Sequence, residues 1–68
     1  MLVENIKERA NRRGTNLYRI EDRCHLSNGS IRRWNDSFPS ADKLKRVAIF
    51  LETTMDELMK GCEDDFRP

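Results

Sequence analysis

Long apolar runs are missing from this chain, and so is strand-like alternation. No stretch approaches the roughly 18 apolar residues that cross a bilayer, so no membrane span is expected. The opening residues, MLVENIKERANRR, hold no apolar core segment and no small-residue cleavage site, so no signal peptide is read there. Cysteine is scarce too. Cys24 and Cys62 allow one bridge and not a disulfide framework. Cys24 falls on an apolar helical stripe, where a buried free thiol is expected. These absences point to the cytoplasm. Apolar–polar alternation never survives beyond a few residues, and no internal repeat or low-complexity segment occurs. The three glycines and two prolines stand at or near boundaries and turns. An all-α chain is the remaining class.

Catalytic and metal-binding constellations are also absent. The sole histidine, His25, adjoins Cys24, but a Cys–His nucleophile pair must meet in space beside an orienting third group. Neighbours at a helix end point in different directions. Cys24, His25 and Cys62 fall short of the roughly four N/S ligands of a structural metal site and lack ligand spacing. No phosphate-cradling glycine loop is present. No enzyme activity, metal or cofactor is expected.

What remains is a small, charged, helical chain. Its 68 residues make one domain at most, with a thin stability margin that usually needs well-packed helices, a metal, disulfides or a partner subunit. The net charge of +1 hides an asymmetry. Residues 1–46 hold 11 Lys/Arg against 6 Asp/Glu, and residues 47–68 hold 2 against 6. A basic front and an acidic back suit a face for a polyanion, although a charge run is more often only a solvated helix face.

Apolar spacing predicts five helices. Helix 1 (2–13) carries the stripe Val3, Ile6, Ala10 and ends at Gly14 in a left-handed cap. Helix 2 (16–24) starts at Thr15 or Asn16 and turns Leu17, Ile20 and Cys24 inward. His25-Leu26 is the turn. Helix 3 (28–35) is capped by Ser27, anchors through Ile31 and Trp34, and carries Asn28, Ser30, Arg32 and Arg33 on its polar side. Phe38-Pro39 forces an extended break. Helix 4 (41–51), capped by Ser40, has the cleanest stripe: Leu44, Val47, Ala48 and Leu51. Helix 5 (55–60) opens on a T-x-x-E capping box, Thr54 to Glu57, and ends at Gly61. The domain is therefore 1–61, and 62–68 (CEDDFRP) is an acidic tail expected to fray.

In this order the segments resemble the Cro/C1-type (XRE-family) helix-turn-helix proteins, the phage repressors and small bacterial regulators. NIKERANRRG (5–14) looks like the opening helix, LYRIEDRCHLSNGSIRRW (17–34) like the helix-turn-helix, and FPSADKLKRVAIFLETTMDELM (38–59) like the closing segment. The resemblance covers roughly residues 4–60 and implies a compact five-helix, lambda-repressor-like domain. Departures occur at Glu21, where the family often has Ala, and at His25, where it often has Gly. The glutamate is expected to point outward or to spread the helices. Histidine at the turn is tolerated in a left-handed conformation. Asn35 and Ser37 also differ from the Glu and Gly often found there.

The resemblance implies a protein that lays its third helix in the DNA major groove. Its base-reading positions fall on Asn28, Ser30, Arg32 and Arg33, with Gly29 allowing close approach. Asn pairs bidentately with adenine and Arg with guanine. Arg33 leads, and Arg32 equally reaches a phosphate. Phosphate contacts are expected from Asn16, Tyr18, Arg19, Ser27, Asn35, Ser37 and Lys43. Outside the motif, Arg32 and Arg33 would be read as solvated surface and Ser27 as a cap alone. Trp34, spaced from Ile31, is read as core and not as a stacking platform. One module buries little DNA surface, so a homodimer on a two-fold operator is expected, meeting through Ile49, Phe50, Met59 and Phe66. The plainer reading of those four is extra core. The expected function is a sequence-specific double-stranded DNA-binding regulator of repressor type. The alternative is an antitoxin-like protein-interaction module with secondary DNA-binding autoregulation.

Overall fold

The computed structural model describes residues 2–61; the tail at 62–68, including Cys62 and Phe66, lies outside them. The described residues form four α-helices and one 3-10 turn. The helices are α1 (Leu2–Arg12), α2 (Leu17–Arg23), α3 (Ala41–Phe50) and α4 (Met55–Leu58); the 3-10 turn is Ile31–Arg33.

Most of the helix ends have a local cause. Asn16 caps α2 by accepting the Arg19 N–H on Oδ1 at 2.9 Å. Ser40 and Thr54 do the same for α3 and α4, accepting from Lys43 at 3.4 Å and Glu57 at 3.1 Å. Gly14 ends α1 at φ +70°, and the Thr15 N–H reaches back to the Ala10 carbonyl at 2.9 Å. His25 ends α2 at φ +59°, the left-handed conformation expected of it, while Leu26 N–H closes onto the Glu21 carbonyl at 2.8 Å. Glu52 does the equivalent after α3 at φ +55°. The last carbonyls around α4 are taken from another helix: Asn5 Nδ2 donates to Leu58 and Lys60 at 2.8 and 2.9 Å.

One core joins the elements. Leu2, Val3, Ile6 and Ala10 of α1 meet Leu17 and Ile20 of α2, Leu44, Val47 and Ala48 of α3, and Leu58 of α4. Cys24, Ile31, Trp34 and Leu51 complete it from the connecting segments. Burying each large apolar side chain contributes about 1.5–3 kcal/mol. Trp34 is 4% exposed, so it is core and not a platform.

The expected third helix is the main correction. No α-helix runs over 28–35 and Ser27 does not cap one. Residues 28–30 form a turn, with Gly29 at φ +86°, and only Ile31–Arg33 winds as a 3-10 turn. The Ser30 N–H bonds to the Ser27 carbonyl at 3.0 Å, and the two hydroxyls face each other at 2.6 Å. A left-handed glycine inside the first turn breaks the α-helical ladder, and a short sequence without its own cap cannot restore it. The count is thus four α-helices instead of five.

Glu21 is the second correction. Its carboxylate does not point outward. It is 4% exposed and turns inward, accepting the Gly29 N–H on Oε1 and the Ile31 N–H on Oε2, each at 3.0 Å.

Candidate nucleic-acid interface

The segment from Ser27 to Arg33 joins α2 to the stretch before α3, with Ser27, Asn28, Arg32 and Arg33 exposed, and its two arginines diverge. Successive residues of a 3-10 turn point about 120° apart. Arg32 lines a broad groove of about 810 Å³ together with Lys7, Asn11, Asn16 and Tyr18. Arg33 folds back the other way, its Nη2 3.9 Å from where a Cβ on Gly29 would stand. There it lines a shallower depression of about 250 Å³ with Ser27, Ser30, Ser37, Ser40 and Lys43. No carboxylate lines that depression. The groove holds one, Glu8, which is paired with Arg12 at 2.5 Å.

Cations divide in the same way. Arg9, Arg12, Arg13 and Arg46 are each paired with a carboxylate: Glu57, Glu8, Glu52 and Asp42. Among the described residues, Lys7, Arg19, Arg23, Arg32, Arg33, Lys43 and Lys45 make no ion pair. Four of these seven, Lys7, Arg32, Arg33 and Lys43, line the groove or the depression. Cations left unpaired in a concavity attract an anion.

The remaining expected residues sort as follows. Asn28 is exposed at the turn beside Tyr18 and Leu26. Tyr18 is 66% exposed, and Arg19 is exposed. Asn16 spends its carbonyl oxygen on the α2 cap. Ser30 donates its hydroxyl to the Ser27 carbonyl at 2.6 Å, which holds the turn. Ser37 and Lys43 face solvent beside Arg33. Asn35 is committed elsewhere. Its Oδ1 accepts the Val3 N–H at 3.1 Å and its Nδ2 donates to Glu4 at 3.3 Å, so it clasps the start of α1. Glu4 sits below the usual carboxylate range, first because a backbone N–H donates to it and then because Asn35 does.

Lys7, Asn11 and Ser40 were not among the expected contacts. Lys7 and Asn11 are one turn apart on the outer side of α1, a spacing visible in the sequence. Their proximity to Asn16 and Arg32 is not, because it depends on how α1 packs on α2. Ser40 reads as a cap from sequence, and it is one, but it also opens onto the depression.

The expected dimer residues lie on another side. Ile49 is 65% exposed, and Phe50 is partly buried against the core, as is Met59. Ile49 and Phe50 edge an apolar groove of about 340 Å³ with Cys24 in it and Arg23, His25 and Arg46 around it. Burial pushes the Cys24 thiol up, opposed by the Arg46 charge. Its Sγ faces the Arg46 carbonyl at 3.7 Å. Among the described residues, no three His, Cys, Asp or Glu side chains come together as a metal site, and no helix is long and apolar enough to cross a membrane.

Against known proteins, no family model matches this chain, and neither does any curated protein or solved structure.

Proposed function

We propose that this chain is a sequence-specific double-stranded DNA-binding regulator of the Cro/C1-type helix-turn-helix kind, acting as a repressor by occupying an operator. One observation carries the reading. An exposed turn stands between two concavities rich in hydroxyls, amides and unpaired cations, and the consecutive Arg32 and Arg33 serve one each. A duplex presents the complementary form: base edges in a groove, flanked on both sides by phosphates.

In this reading the turn enters the major groove. Asn28 and Arg33, which lies across Gly29, read base edges. Ser27, Ser37, Ser40 and Lys43 hold the phosphates of one strand, and Lys7, Asn16, Tyr18 and Arg32 hold those of the other. Ser30 supports the turn. Ile49 and Phe50 supply the contact with a second copy, which sets two turns about 34 Å apart on a two-fold site. No catalytic step belongs to this function.

Selection from a random duplex library tests it. We expect one motif to be enriched over competitor DNA at moderate salt; a flat library rejects the reading. Arg33→Ala should relax preference at particular base pairs, by about 1–3 kcal/mol. Arg32→Ala and Lys43→Ala should weaken all duplexes alike and lower the salt slope by about 1 each. The opposite pattern reverses the assignment of Arg33.

A second reading has its own observation, the apolar groove with Arg23, His25 and Arg46 around it. It fits a protein partner with apolar and acidic side chains, as an antitoxin-like module would need. A pure chain that dimerises through Ile49, and loses both dimer and operator binding in Ile49→Glu, argues against it. A monomer that captures such a partner through the same residue argues for it.

A further inference from the structure

We infer that Glu21 is a positioning residue for the DNA-reading turn, an inference that rests on the proposed function. The turn lacks a cap of its own. Ser27, the residue placed to provide one, has its hydroxyl against Ser30. Yet the turn presents two inward backbone donors, the N–H groups of Gly29 and Ile31, and Ile31 is fully buried. Glu21 receives both, one on each carboxylate oxygen, from eight and ten residues upstream. A buried N–H without an acceptor is strongly disfavoured, so these bonds decide which way the turn faces.

The position of Glu21 in α2 strengthens the inference. It lies in the last turn of that helix, where the helix dipole disfavours a carboxylate. No basic side chain among the described residues pairs with it. Neither local helix stability nor an ion pair accounts for a buried acid there; the two N–H groups do. The arrangement also leaves the Ser27 and Ser30 side chains lining the cationic depression with Arg33. Glu21 therefore sets the shape of the reading turn without touching DNA.

Two variants separate position from charge. Glu21→Asp keeps the charge but retracts the carboxylate by one methylene. Glu21→Gln keeps the length but turns an NH2 group toward one donor. Amide exchange at Gly29 and Ile31 is measured by NMR against Val47 and Ala48 of α3 in the same sample. Affinity is measured for the library-enriched duplex and for a scrambled duplex of equal composition. In both variants we expect exchange at Gly29 and Ile31 to rise about tenfold relative to α3. We also expect the ratio of specific to scrambled affinity to fall about tenfold, with the salt slope unchanged. If Asp behaves as wild type while Gln tightens both duplexes equally, Glu21 is only a charge and the inference fails. Faster exchange with intact selectivity also overturns it. If the wild type selects no sequence, the DNA reading falls and takes the positioning role with it, while the exchange arm still shows whether Glu21 clamps the turn.

Discussion

Helix α3 and the segment 27–37 are similar lengths of chain held in opposite ways. α3 carries its own helical signals: Ser40 caps it, Leu44, Val47 and Ala48 form its inner stripe, and an Asp42–Arg46 pair spans one turn of its surface. The segment 27–37 is held from outside. Glu21 of α2 takes its first inward N–H groups, Ile31 and Trp34 pin it to the core, and Asn35 ties its end to Val3 and Glu4 of α1. The difference shows how this small domain displays an irregular turn. The helices, packed on one core, form a frame, and the frame supplies what the turn lacks.

Breaking the buried apolar anchor should therefore do more than breaking a local cap. The largest effect is expected for Trp34→Ala, which removes the main apolar anchor of the segment. A loss of about 3–5 kcal/mol is expected, read as a fall in the urea midpoint. A loss below about 1 kcal/mol means that Trp34 is not the anchor.

Gly29→Ala sharpens the comparison by its sign. In a left-handed turn an alanine costs roughly 1–2 kcal/mol, and the nearest atom, Arg33 Nη2 at 3.9 Å, adds no clash. In an α-helix the same change would stabilise by about 1 kcal/mol. Denaturation of this one variant distinguishes the turn from the helix that the sequence suggests.

Ser40→Ala removes only a local cap. It should cost about 1 kcal/mol and raise amide exchange at the start of α3 while leaving Gly29 and Ile31 unchanged. A larger effect at the turn than in α3 would mean that the two regions are less independent than their bonding indicates.

The smallest effect concerns the clasp at Asn35. Glu4 has a depressed folded value, held down by a backbone N–H first and Asn35 second. Its contribution is therefore present above the unfolded glutamate value of about 4.3 and is lost as the pH falls through the lower folded value. Comparing wild type with Asn35→Ala across pH 2–6 should show a stability difference that is largest near pH 6 and shrinks, as the pH falls, to the part due to the Val3 N–H. A constant difference would assign the Asn35 contribution to the Val3 N–H alone.

Much of this fold was legible because its signals are local. The Asn16, Ser40 and Thr54 caps, the stop at Gly14, the left-handed His25 and the inward faces of α1 and α3 each depend on residues within about one helical turn. The candidate site was legible only as a list. Ser27, Arg33, Ser37 and Lys43 do meet around one depression. That Arg32 leaves them for the side of Lys7, and that Asn35 turns back to α1, depends on packing between elements distant in sequence. The role of Glu21 is hidden in the sequence for the same reason: viewed along α2 alone, an acid in its last turn has no partner.

Residue spacing and capping chemistry alone determined an all-helical chain, most of its helix boundaries, and a polar, cationic segment anchored by Ile31 and Trp34. Tertiary structure decided the form of that segment. Helix propensity and a nearby serine favour a helix there only weakly, whereas a left-handed Gly29 and two N–H groups bonded to a buried Glu21 favour a turn more strongly. The acceptor that tips this balance lies in another element, so only the folded chain brings it into reach.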